Sequence, residues 1–202
     1  MLSQFTIFDN NIKSIKELSD LYDFLTGTLK VPFNFDDILR SKIVYGVSAF
    51  DKLMHDLVRV GMVETFSGRR LPTDKYLTYQ ISLESHVQIT SATIPPKEYW
   101  FENSIVQKHK LLAFQDPFKV ADALSLIWNE KHKWQTISGT LGMIEKDVTT
   151  RLKTIVDRRN IIVHEADINP ATGIKFPITK TEAEESVGFL YNIGTTIYNC
   201  VH

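Results

Sequence analysis

The chain has 202 residues, 43% of them hydrophobic and 23% charged, with a formal net charge of -1. That composition suits a globular protein with a sizeable core, and the near-neutral charge excludes a generally basic nucleic-acid coat, so an anionic ligand must be held by a local patch. The single cysteine, Cys200, excludes an internal disulfide and argues against a cysteine metal site; with no basic leader ahead of an apolar run and no apolar stretch of membrane length, the expected location is the reducing cytoplasm.

Taken in chain order, the pattern is helical. After a short apolar start from Phe5 to Phe8, the spacing of Ile15, Leu18, Leu21, Tyr22 and Leu25 predicts a first helix over 12–29. Pro32 breaks the chain. A long helix is predicted over 35–66, capped by Asn34 or Asp36. Its face runs through Ile38, Leu39, Lys42, Ile43, Gly46, Val47, Phe50, Leu53, Met54, Leu57 and Val60. Small residues at Gly46, Ser48 and Ala49 would admit a second helix closely, and Gly61 marks an early end or a bend.

The stretch 67–96 is the least regular. It opens with a basic loop at Arg69-Arg70, continues into a short helix over 73–79, and leaves 81–93 open between helix and strand. Further helices are expected over 97–112, 117–129 and 134–143, the second started by Asp116-Pro117. A helix over 144–165 buries Ile144, Val148, Leu152, Ile155, Val156 and Ile162. After a turn at Asn169 to Gly173, a last helix spans 181–200, with Thr181 and Glu184 spaced as a capping box. The expectation is an all-α bundle forming one domain, with its core over 33–200 and a looser middle insertion.

The most informative segment is Asp157-Arg158-Arg159-Asn160-Ile161-Ile162-Val163-His164, near the end of the 144–165 helix. Arginine is a fixed cation with a planar donor fork suited to phosphate. Histidine moves protons near neutral pH. Together they supply what metal-free cleavage of RNA requires. On a helix, Asn160 and His164 share a face and Asp157 lies on the same side, whereas the Arg159 Cα points about 140° away from His164. Its guanidinium has to be brought round, or a second subunit's arginine has to stand beside the histidine.

Arg159-Asn160 with His164 four intervening residues later resembles the motif of the HEPN superfamily, in which ribonuclease members carry arginine, a polar residue and then histidine; Arg158 fits the looser spacing. The resemblance extends to the long helix with Arg40-Ser41-Lys42-Ile43-Val44-Tyr45-Gly46-Val47-Ser48-Ala49-Phe50-Asp51, which is similar to the first core helix of the RiboL-PSP-type HEPN branch. It implies a HEPN-like helical bundle and a metal-independent endoribonuclease needing no cofactor. It also implies a homodimer whose two motifs line one cleft, acting on RNA such as tRNA in a defence or toxin-type system, with an antitoxin or regulatory partner.

Within that reading His164 is the general base or acid. Arg159 stabilises charge on the phosphate, and Asn160 binds the phosphate or fixes the ring. Asp51 or Asp157 would orient His164, with Arg158 in support. Arg151, Lys153 and Arg40 are candidates for RNA contact, as are the clusters at Lys108-His109-Lys110 and Lys131-His132-Lys133. Trp128 and Trp134 would offer stacking surfaces. No histidine pairs with a carboxylate at metal-ligand spacing. Two blander readings stand beside these: a solvated helix end whose arginines complement the dipole, and a non-catalytic HEPN module that binds nucleotide or a partner protein.

Overall fold

One long helix organises the rest of the chain. In the computed structural model, which describes residues 1–91 and 93–202, α2 runs from Asp36 to Phe66 and counts 31 residues, or about 46 Å at the usual rise per residue. Leu39, Lys42, Ile43, Gly46, Val47, Phe50, Leu53, Met54 and Leu57 are its buried face, as their spacing predicts. Around it pack α1 (Leu2–Asp23), α5 (Lys97–His109), α6 (Pro117–Leu124), α8 (Glu145–His164) and α9 (Lys180–Val201). Three short helices complete the bundle: α3 (Asp74–Leu77), α4 (Leu83–Ser91) and α7 (Lys133–Thr140). The β pairing among the described residues is a single bridge, Ile168 to Lys175. No helix among them is long and apolar enough to cross a membrane.

Gly61 does not end or interrupt α2. A Cβ at this position would stand 2.7 Å from Ile127 Cγ2 and 2.9 Å from Ile127 Cβ. The glycine is therefore a packing residue: it lets the segment after α6 lie against the α2 backbone. Gly194 does the same for α1, since a Cβ there would meet the Phe8 ring at 2.8 Å.

Several boundaries differ from expectation for tertiary reasons. α1 begins at Leu2, because the apolar start is already helical. Phe8, Ile12 and Ile15 are buried, and the Phe5 ring stacks on Tyr198 with centroids 4.4 Å apart. Leu21 is correspondingly exposed. The helix closes in a π-helical turn over Phe24–Thr28. α6 ends at Leu124, five residues early, because other groups take the carbonyls beyond it. Thr73 Oγ1 donates to Ser125 O at 2.8 Å and Arg70 Nη1 to Ile127 O at 3.3 Å. The α9 cap is Thr179, whose hydroxyl accepts the Glu182 N–H at 3.1 Å, so Thr181 lies inside the helix. The ambiguous middle stretch forms α4, which packs on α5 and buries none of its own residues; Ala92 lies outside the described residues.

Candidate functional site

α8 carries the arginine–histidine segment. Its stripe Val148, Leu152, Ile155 and Val156 is buried and fixes which face looks inward. Arg159 and Asn160 are half-buried, and His164, the last helical residue, is exposed. Arg159 Nη1 donates to Asn160 Oδ1 at 2.9 Å. Asn160 shares its face with His164, and this bond ties the guanidinium to the asparagine side chain. Arg159 Nε is buried without a partner, and among the described residues the guanidinium is bonded to Asn160 alone.

Arg158 is held quite differently. Its Nη1 lies 2.7 Å from Asp167 Oδ1, and its Nη2 donates to Asp167 Oδ2 at 3.1 Å and to Pro177 O at 3.1 Å. Arg40, from α2, closes on the same carboxylate: Nε donates to Asp167 Oδ2 at 2.5 Å and Nη2 to Phe176 O at 2.7 Å. Asp167 is wholly buried. A carboxylate taken out of water between two guanidinium forks is stable only with such pairing. The backbone around it is unusual, with Ala166 at φ 52° and Asp167 at φ 60°. Left-handed non-glycine residues cost energy, and the ion pairs offset that cost. The segment right after His164 is thereby tied to α2 and α8 together.

Asp167 was not singled out in the sequence. Its one local signal is a carboxylate just beyond a helix end, which is common. The two arginines that select it lie 127 and 9 residues away, and only the packing of α8 on α2 brings them together.

The remaining sequence candidates fall into distinct places. Arg40 is 6% exposed and spent on Asp167, so it is an internal anchor and not a surface contact for RNA. Arg158, only 16% exposed in its side chain, belongs to the same clamp. Asp157 and Lys153 pair with each other at 3.2 Å on the exposed side of α8. Arg151 is exposed and lies over the Phe189 ring at 4.7 Å. Asp51 sits eleven residues after Arg40 on α2, about 16 Å along the helix axis. Its carboxylate accepts the Phe114 N–H at 2.6 Å and lies 3.8 Å from His55 Nε2. Within one chain it therefore serves the α5–α6 connection and does not reach the α8 terminus.

The basic clusters also sort by burial. Lys133 is buried, with Nζ donating to Glu130 O at 2.5 Å. Trp134 is core, its Nε1 donating to Pro117 O at 2.9 Å. Arg70 holds the C-terminus through Val201 O at 2.7 Å. His109 is buried with Nε2 3.3 Å from Tyr79 Oη; burial, with help from His55 and Lys108, lowers its pKa to about 4. Among the described residues, no three His, Cys, Asp or Glu side chains converge as metal ligands would.

Comparison with known families identifies this chain's relatives. The RiboL-PSP-HEPN model aligns with residues 9–202, which takes in α2, α8, the Asp167 turn and α9. No curated protein and no solved structure matches the chain. With nearly its whole length matched and an all-helical bundle around α2, this chain belongs to the RiboL-PSP-HEPN family.

Proposed function

We infer that the protein is a metal-independent endoribonuclease. HEPN-type domains are often ribonucleases, though some are not catalytic, and the family match supports a nuclease or RNA-related module in general. The observation that carries the finer reading is the contrast between the two arginines. Arg158 is consumed by Asp167, whereas Arg159 meets no carboxylate among the described residues and bonds to Asn160, which shares a helix face with His164.

RNA supplies its own nucleophile. His164 takes the proton of the ribose 2′-hydroxyl as that oxygen attacks the adjacent phosphorus. The P–O5′ bond breaks, and the leaving 5′-oxygen receives a proton from a histidine or water. Arg159 stabilises the charge that builds on the non-bridging oxygens, and Asn160 keeps the guanidinium in place. The products are a 2′,3′-cyclic phosphate and a 5′-hydroxyl. DNA, without the hydroxyl, is not cut.

His164 is exposed at the end of α8, so one chain offers an open site. A homodimer in which two α8 ends face each other would enclose the phosphate and pair each histidine with a second arginine. An active nuclease of this kind fits a cytoplasmic defence or toxin role acting on tRNA or single-stranded RNA, with an antitoxin or regulatory partner holding it in check.

The test is cleavage of total tRNA and of a single-stranded RNA in EDTA by the wild type, His164→Ala and Arg159→Ala. Wild-type cleavage leaving cyclic phosphate ends, with both variants slowed at least about a hundredfold, is expected. Cleavage retained by His164→Ala overturns the assignment.

A further inference from the structure

Lys42 stands on the buried face of α2 and is 2% exposed. A lysine ammonium has three N–H donors, and burying it without full partners is costly. Here the Nζ donates to the Ser19 hydroxyl, a neutral group. The nearest carboxylate, Glu184 Oε1, stays at 3.7 Å, beyond hydrogen-bond reach. Burial pushes the Lys42 pKa down, and Glu184 draws it partly back. The ammonium is thus incompletely satisfied.

Beside it lies a cavity of about 490 Å³ between α1, α2 and α9, in the range of small-molecule sites. Ile12, Ile15, Val187 and Tyr191 supply much of its wall, and Lys42 lies on its α2 side. Gly188 borders the same space, and a Cβ built on it meets nothing within 4 Å. The wall is apolar at Ile12, Ile15 and Val187 and polar elsewhere, with Lys16, Asp20, Glu184 and Asn192 at its border; Lys42 is its buried, under-bonded cation, complementary to a molecule with an apolar body and a single negative charge.

We propose that this cavity binds a small organic monocarboxylate, its apolar part against Ile12, Ile15 and Val187 and its carboxylate on Lys42. The approach of Glu184 already shows a carboxylate attracted to this ammonium. Glu184 is 45% exposed in its side chain and has a second cation within reach, Lys180 at 3.6 Å, so it can be displaced without losing all of its pairing. A phosphate dianion fits less well, because the two bordering cations, Lys16 and Lys42, are already balanced by the two bordering carboxylates, Asp20 and Glu184. The site is separate from the α8 terminus and does not depend on the ribonuclease reading.

The experiment is calorimetric titration of the full chain with benzoate and with benzyl alcohol, a neutral molecule of similar size with the same ring. Benzoate is expected to bind saturably and at least about tenfold more tightly than the alcohol. Lys42→Met should erase that preference. Gly188→Leu, which adds bulk at the border of the chamber, should weaken binding of both with the helical spectrum unchanged. Glu184→Gln should strengthen benzoate binding by removing the competing carboxylate. Equal binding of the two probes, an undiminished benzoate preference in Lys42→Met, or no saturable benzoate binding up to about 10 mM overturns the proposal.

Discussion

Arg159 reaches Asn160, its immediate neighbour, through an Nη1 to Oδ1 hydrogen bond of 2.9 Å. Adjacent residues on a helix do not normally face one another. The contact ties the guanidinium to a residue that shares its helix face with His164. The Asn160 amide oxygen is the hydrogen-bond partner that holds the guanidinium.

Asn160→Ala should consequently leave the fold alone and disturb the chemistry. The residue is only half-buried, so the stability change is expected to stay within about 0.5 kcal/mol. A guanidinium misplaced by about an ångström should slow RNA cleavage by about tenfold to a hundredfold, mostly in kcat. Asn160→Asp would pair the arginine with a full negative charge, blunting its attraction for phosphate, and should be slower still. Single-turnover cleavage rates beside urea unfolding curves check both effects.

Asp167→Ala should do the reverse and strike stability first. It leaves the Arg40 and Arg158 guanidinium groups buried without their shared carboxylate, a loss of about 3–5 kcal/mol by analogy with other broken buried pairs. A double-mutant cycle between Arg40→Met and Asp167→Ala, read by urea denaturation, should show strong coupling. Additive effects of the two changes would mean that the clamp contributes little.

Gly61→Ala tests the close approach of α2 to the segment after α6. In an exposed helix this change would be stabilising. Here the new Cβ would press on Ile127 at 2.7 Å, and overpacking should cost about 1–3 kcal/mol. Adding Ile127→Ala should recover part of that loss, because it removes the obstructing branch. Thermal melts of the single and double variants decide it.

His109 gives the protein an acid sensitivity of known sign. Its folded pKa is depressed to about 4 from 6.5 by burial. The folded state therefore refuses a proton that the unfolded chain accepts between those values. The contribution is fully present above about pH 6.5 and falls away as pH drops toward about 4. Urea midpoints measured across that window should decline on acidification. His109→Gln should flatten the part of the slope that this ring causes.

What the sequence by itself determined is the set of local decisions. Three- and four-residue apolar spacing, Pro32, the Asp116-Pro117 start and the Asn169 to Gly173 turn depend on neighbours within a few residues, and they placed α2, α8 and α9 to within a residue or two at most ends. The Arg159, Asn160 and His164 grouping was legible for the same reason, since all three lie within two turns of one helix. The tertiary structure decided which charges were free. Locally Arg159 is set apart from Arg158 only by the asparagine that follows it; that one meets Asp167 and the other does not is decided by the fold. Arg40 read as a surface cation until packing buried it against the same carboxylate. Asp51 shares a helix with Arg40, but the length of α2 carries it away from the motif. The early stop of α6 and the continuity of α2 through Gly61 likewise depend on distant partners, Thr73 and Arg70 for the first and Ile127 for the second. Helix periodicity is written along the chain, whereas burial of a charge depends on residues more than a hundred positions apart meeting in the folded protein.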